Sequence, residues 1–577
     1  MKKISMTFLT AGLFMITAVR AQTLQDGVND LYSERYKSAK ATFEKLVAAN
    51  PNNIDATYWL GQTYIAVKDI PGAKDIYSKA LMASANAPLL IVGMGQVELN
   101  EKKLSESTQR FEAAITMTHT KKGDDPVILN AVGRAIVNTY NDKEKVGDIN
   151  YAVDKLEAAS QRDPNNAEIF LNLGNAYLKA KPGEGGGRAF ESYTKATAAN
   201  PNFAPAYYRL AMLFYSQRNW ELFERYLNDA ITKDPRFRPA YYQLSYYKMG
   251  KKDLGAAENY AQKFKESSDP DPQNAYLEAS IKWASKKFDE AIAMAKDIIN
   301  QSGGKARARV YKLIADAMVQ KKDSAAAKPY IDEYFTRIGT ETDKLESEGI
   351  TALDFELKAN IYSAIPGQED VVFNSYLDGV KADTVLQDKI DLLNKGIAFF
   401  KPRQREKEGD LTTVLIQIKP KPTINDYYNA TRAYYFGKAY PKSRDMSLKM
   451  IDKYPDSLYG YLFAMYSSRV IDTVKKDSIA VPDAIKLLDI AQRDTARFRK
   501  EYKDAAGYLA AYYANDAKDA GKALEYINKM LLLDPTDEIL NKNKQLLEKA
   551  AKQQSSPRGS NESKSGTSAA AKDNKGG

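Results

Sequence analysis

One histidine, no cysteine and 38 tyrosines bound the chemistry open to this 577-residue chain. Without cysteine there are no disulfides, thiolate metal ligands or cysteine nucleophiles. The single imidazole, His119 in Met117-Thr118-His119-Thr120, cannot build a multi-histidine zinc site. It could serve one nucleophilic triad, but no Gly-x-Ser-x-Gly turn lies near it. Paired carboxylates remain open for acid–base chemistry, and no pair stands out. The glycine-rich stretch Pro182-Gly183-Glu184-Gly185-Gly186-Gly187-Arg188 lacks the Lys-Ser/Thr of a phosphate-binding loop and joins two helical stretches, so it reads as an insertion. No catalytic residue, metal site or cofactor is expected.

What remains is ring chemistry. Tyr207-Tyr208, Tyr241-Tyr242 and Tyr246-Tyr247 are adjacent pairs that place one ring in a core and the next outside it. The outward rings serve either packing or ligand contact. The formal charge of +10, with pI near 9.0, mildly favours anionic partners and otherwise speaks to solubility.

The elements that must hold these rings recur. Asn-Pro or Asp-Pro falls at Asn50-Pro51, Asp163-Pro164, Asn200-Pro201, Asp234-Pro235 and Asp534-Pro535. Pro201 to Pro235 is one step of 34 residues, and Ala196 to Ala230 repeats it. Small and aromatic residues recur inside each unit: Gly27, Ala39, Phe43; Gly61, Tyr64, Ala73, Tyr77, Ala80; Gly95, Ser107, Phe111, Ala114; Gly174, Tyr177, Ala189, Tyr193, Ala196; and Ala211, Phe214, Leu227, Ala230. Leu509-Ala510, Tyr513, Ala523, Ile527 and Pro535 repeat the pattern near the far end. Small residues let the two helices of a hairpin approach, rings fill the space between them, and proline ends the second helix because it lacks the amide donor. A hairpin of this kind cannot bury its apolar face alone and must stack on others.

This pattern resembles the tetratricopeptide repeat (TPR). The resemblance implies an all-α solenoid of helix hairpins wound into a right-handed superhelix, with a concave groove that binds protein segments. Some TPR domains clamp a partner's terminal carboxylate through Lys, Asn and Arg at positions 5, 6 and 9 of successive units. Asn130 and Arg134, then Asn172 and Asn175, occupy such positions, but the sixth unit departs with Tyr208 and Met212, so the clamp is incomplete. The groove candidates are therefore Asn130, Arg134, Asn172 and Asn175, with Tyr208, Met212, Tyr215, Tyr242 and Tyr246.

The chain opens with Lys2 and Lys3 followed by a mostly apolar run to Val19, the layout of a secretory signal. Val19-Arg20-Ala21 predicts cleavage before Gln22, and the run is too short, with Arg20 interrupting it, to span a membrane. The signal resembles those of Gram-negative envelope proteins, which makes the periplasm the expected location, peripheral to the outer membrane at most. The expected layout is a signal over 1–21, a TPR array over 22–335, degenerate repeats or a hinge over 336–425, and a second array with a capping helix over 426–552. A disordered tail over 553–577, with no aromatic residue, follows. Between Gly133 and Ala152 an insertion is expected around Asn141–Asn150, and Lys401–Glu408 reads as an exposed mixed-charge segment. The expected partners are protein or peptide segments and, through charge, anionic envelope polymers; no nucleic acid and no transmembrane span are expected. A glycan- or peptidoglycan-binding module using the tyrosines is the alternative, and a carboxylate-based enzyme the third reading.

Overall fold

The computed structural model describes residues 23–84, 87–339, 349–472 and 479–555. The expected signal and all of the expected 553–577 tail but residues 553–555, which end the last helix, lie outside the described residues. Among the described residues the chain forms 29 α-helices, one 3-10 turn at Pro272–Ala275 and no strand. None of these helices is long and apolar enough to cross a membrane.

Successive helices pack as hairpins: Leu24–Tyr32 on Tyr36–Ala49, Ile54–Ala66 on Ile70–Ala83, Pro88–Asn100 on Leu104–Thr118, and so on along the chain. Glycine sets the approach within a hairpin. A Cβ at Gly27 would lie 2.5 Å from the Phe43 ring and one at Gly95 2.7 Å from the Phe111 ring, while at Gly61 and Gly174 it would run into the rings of Tyr77 and Tyr193. The small and aromatic residues of the repeat therefore touch each other, ring against bare backbone. Between the paired helices the backbone turns through the left-handed region at Glu34, Lys68 and Lys102, and again at Arg218, Lys252 and Lys286, in steps of one repeat. Side-chain caps start many helices, as where Asn53 accepts from the Ala56 amide and Asp253 from the Ala256 amide.

The helices divide into two units, the first comprising residues up to Asp323 with Pro329–Arg337, the second Ser324–Lys328 and the residues from Ile338 onward. In the first unit one continuous core runs from Tyr58 to Leu210 across successive hairpins, as stacking requires. The insertion falls between helices Pro126–Thr139 and Ile149–Arg162, where Asn141 and Val146 exchange backbone hydrogen bonds. His119 ends helix Leu104–Thr118 and its Nδ1 lies 2.7 Å from Asp124 Oδ1 on the surface.

In the second unit, helices Ala352–Ser363, Glu369–Ala382, Leu386–Phe400 and Arg405–Ile418 form two further pairs. The Lys401–Glu408 stretch differs from expectation. Helix Arg405–Ile418 begins inside it, and Glu408 is buried and accepts from Arg405 Nη1 at 2.8 Å. The capping helix runs Glu538–Ser555. It packs Leu540 and Leu547 on the hairpin before it but leaves Ile539 and Leu546 exposed.

Candidate functional site

The first unit closes on itself. The first hairpin (Leu24–Tyr32 and Tyr36–Ala49) touches residues more than two hundred positions further on. Asp269 accepts from the Lys37 amide at 2.7 Å and from the Ser38 hydroxyl at 2.5 Å, and Arg238 Nη2 donates to Glu34 Oε2 at 2.8 Å. The Tyr32 ring meets Phe203 edge-on at 5.7 Å. The inner face of the hairpin stack is thus divided into separate recesses, and the candidate residues distribute among them.

The recess nearest the first hairpins, about 450 Å³, is lined by Gln62, Gln96, Arg134 and Asn175, which follow the glycine at the close approach in four successive units. The same repeat position therefore faces the same space. Asn130, Arg134 and Asn172, expected as ligand contacts, are 6%, 5% and 3% exposed and are tied into the interior. Asn172 Nδ2 donates to Asn130 Oδ1 at 2.9 Å, as Gln62 Nε2 does to Gln96 Oε1 at 2.7 Å, so amides bridge neighbouring first helices. Arg134 pairs with Glu168, donates to the Tyr58 hydroxyl at 2.7 Å and lies 4.1 Å over the Trp59 ring. Buried polar groups must find partners: the two asparagines meet each other, and Arg134 meets Glu168 and Tyr58. Asn175 is less buried; its Oδ1 accepts from the Tyr193 hydroxyl at 2.8 Å.

Tyr208 and Tyr242 line a second recess of about 390 Å³ under the first hairpin, facing Tyr36 and Lys37. Tyr208 meets Phe237 edge-on at 5.7 Å, and burial raises its hydroxyl above the ordinary tyrosine range. The expectation that Tyr207 is core and Tyr208 is outward is not met: both are half-buried, and the Tyr207 hydroxyl donates to the Pro201 carbonyl at 3.1 Å. Tyr36, which the sequence reading passed over, is pushed up to about 12, first by burial and then by Glu34. Met212 packs half-buried against the core around Phe223 and Leu227.

Tyr215, Tyr242 and Tyr246 come together in a third, open recess of about 630 Å³. Its other rings are Trp220, Phe223 and Tyr247, with Lys251 at one edge. Tyr215 and Trp220 are 48% and 37% exposed, with centroids 5.6 Å apart and planes at 77°. Trp220 lies at 27° to Tyr247, 6.2 Å away, and Phe223 meets Tyr247 edge-on at 5.5 Å. Spacing within one helix could not reveal Trp220 and Phe223, because they reach the recess from the second helix of the hairpin, Trp220–Lys233.

A tetratricopeptide-repeat family model matches residues 30–114, the span over which Gly61 and Gly95 meet Tyr77 and Phe111. Residues 30–114 are tetratricopeptide repeats. Similar solved structures include the C-terminal part of a TPR repeat-containing protein from Cytophaga hutchinsonii, at 21% identity over 46% of this chain and 98% of that one (TM-score 0.24). A TPR protein from Parabacteroides merdae is 18% identical over 46% and 98% (TM-score 0.37). YrrB, described as a TPR protein with an unusual peptide-binding site, is 20% identical over 33% and 92% (TM-score 0.21). TPR folds are protein-interaction scaffolds, typically without enzymatic activity, and their partners are proteins.

Proposed function

We propose that this TPR protein is an exported, non-catalytic adaptor that captures protein segments through the open recess of its first unit and serves assembly or maintenance of the cell envelope. The carrying observation is the group of rings around Tyr215 and Trp220, which leaves large apolar surface in contact with water beside Tyr242 and Tyr246. Aromatic side chains so placed are typical binding hot spots. A periplasmic location is supported by Lys2, Lys3 and the apolar run to Val19.

Glycan stacking is the competing use of the same rings. A protein segment is favoured because Trp220 and Tyr247 already cover one another's faces, leaving edges and a shaped recess rather than a flat platform. A photo-crosslinking residue at position 215 of the full chain, produced in a Gram-negative host, tests the reading. Polypeptide adducts in the periplasmic fraction that vanish with Trp220→Ala, and are missing when the crosslinker replaces exposed Met82, are the expected result. Adducts to glycan alone, or equal polypeptide adducts from position 82, would overturn it.

A further inference from the structure

The recess beside Trp59 has a charge imbalance that the aromatic site does not need. Four cationic side chains, Lys68, Arg134, Lys179 and Arg209, line it, and no Asp or Glu does. Arg134 is neutralised by Glu168 from outside the lining. Lys179 Nζ donates only to a neutral group, the Val137 carbonyl, at 2.6 Å. Lys68 and Arg209 are exposed at the mouth, and neither forms an ion pair among the described residues. Three uncompensated positive charges thus face one cavity.

The backbone that carries these donors is set by one turn and two helices. Lys68 stands in the left-handed turn between helices Ile54–Ala66 and Ile70–Ala83, at φ +64°, and Arg209 and Lys179 come from helices Ala204–Ser216 and Ala167–Ala180. Deeper in, the side chain of Gln96 is wholly buried, yet its Nε2 has no hydrogen-bond partner, an unusual cost for an amide donor. Trp59 and Tyr32, whose ring centroids lie 6.4 Å apart, supply the apolar wall.

We propose that this recess binds a dianionic group carried on a flat apolar body, the group being either a phosphate monoester or a dicarboxylate. A single carboxylate would leave two of the three positive charges unanswered, whereas a dianion leaves one. Lys179 reports the imbalance independently. Its pKa lies below the ordinary lysine range, first because of burial and then through repulsion by Arg209 and Lys68. The site is separate from the aromatic recess, so it stands or falls apart from protein capture.

Calorimetry on the full mature chain, with phenyl phosphate, phthalate, benzoate and phenol as probes and Trp59 fluorescence as a second signal, decides the matter. One or both dianions should bind, with benzoate at least about tenfold weaker and phenol inert; the stronger of the two names the source. Lys68→Gln and Arg209→Gln should each weaken binding about tenfold, while Lys45→Gln on the outer surface should leave it unchanged. Dianions that bind no better than benzoate, or binding that survives the Lys68→Gln/Arg209→Gln double variant, would overturn the proposal.

Discussion

The Asp269 carboxylate accepts from the backbone amide of Lys37, 232 residues earlier in the chain, at 2.7 Å. Helix Tyr36–Ala49 has no cap of its own, because the side chain of Arg35 at its N-cap position makes no capping bond. A distant carboxylate supplies what a local Ser or Asp usually does, and it also complements the positive end of the helix dipole. This bond and the Arg238–Glu34 pair hold the first hairpin against the rest of its unit.

Asp269→Ala should therefore loosen the first hairpin selectively. Loss of an N-cap costs about 1 kcal/mol, within a range of roughly 0.5–2 kcal/mol. Amide hydrogen exchange should quicken over residues 24–49 and stay unchanged over 352–418. Equal acceleration in both stretches would mean that the contact does not fasten one hairpin.

The glycine–ring contact predicts a sharper effect. Gly174 lies against Tyr193, so Gly174→Leu should push helices Ala167–Ala180 and Gly186–Ala199 apart at a cost of about 1–3 kcal/mol. Exchange should rise mainly over residues 167–235. At Gly255, where an added Cβ meets nothing, Gly255→Ala should be neutral or slightly stabilising. A large loss at Gly255 would separate the cost from the ring contact.

These two contacts also show what the sequence could and could not disclose. Gly174 and Tyr193 are legible because each sits at a fixed place in a repeat, and a repeated physical constraint leaves a repeated residue type. Asp269 and Lys37 carry no such mark: the contact is made once, between distant residues that are individually ordinary. Asn130 and Asn172 were visible as polar residues at inner positions, but an amide satisfied by another amide and an amide awaiting a ligand look alike in sequence. Tyr208 was misplaced for a related reason, since the first hairpin covers it and no local periodicity encodes that cover. Trp220 was missed because its recess is assembled from both helices of a hairpin.

Acid should unfold the second unit partly through Asp383. Burial works against ionisation there, but the amides of Ala352, at 2.6 Å, and Val385, at 2.7 Å, hold its carboxyl below the usual aspartate range. One side chain thereby caps helix Ala352–Ser363 and fixes the entry to helix Leu386–Phe400. Because the folded-state pKa is depressed, the stabilisation is present above the unfolded value near 3.9 and is lost as pH falls through the folded value. Asp383→Asn should cost about 1–2 kcal/mol at pH 7, and the difference from the parent should shrink toward zero as pH falls through the folded value. A gap that persists undiminished in acid would show that the carboxylate charge is not what matters.

The last expectation separates packing rings from binding rings within one unit. Tyr208 is half-buried against Phe237 and bonded to Gln243, whose Nε2 donates to its hydroxyl at 3.4 Å, so Tyr208→Ala removes contacts the fold uses. Its cost should be about 1–2 kcal/mol, below the roughly 3–5 kcal/mol of a fully buried aromatic. Tyr215 is 48% exposed and, with Trp220, stands at the open recess, so Tyr215→Ala should change stability by no more than about 0.5 kcal/mol. Capture of a bound protein segment should follow the opposite order. Tyr215→Ala and Trp220→Ala should each weaken it by about 2 kcal/mol, near thirtyfold in affinity. Tyr208→Ala should leave it nearly intact at temperatures where the variant stays folded. Thermal melts and binding isotherms on the three variants test this ordering. If Tyr208→Ala abolishes capture without lowering the melting temperature, the segment runs beneath the first hairpin, and the binding site belongs with Tyr36 and Lys37 rather than with Trp220.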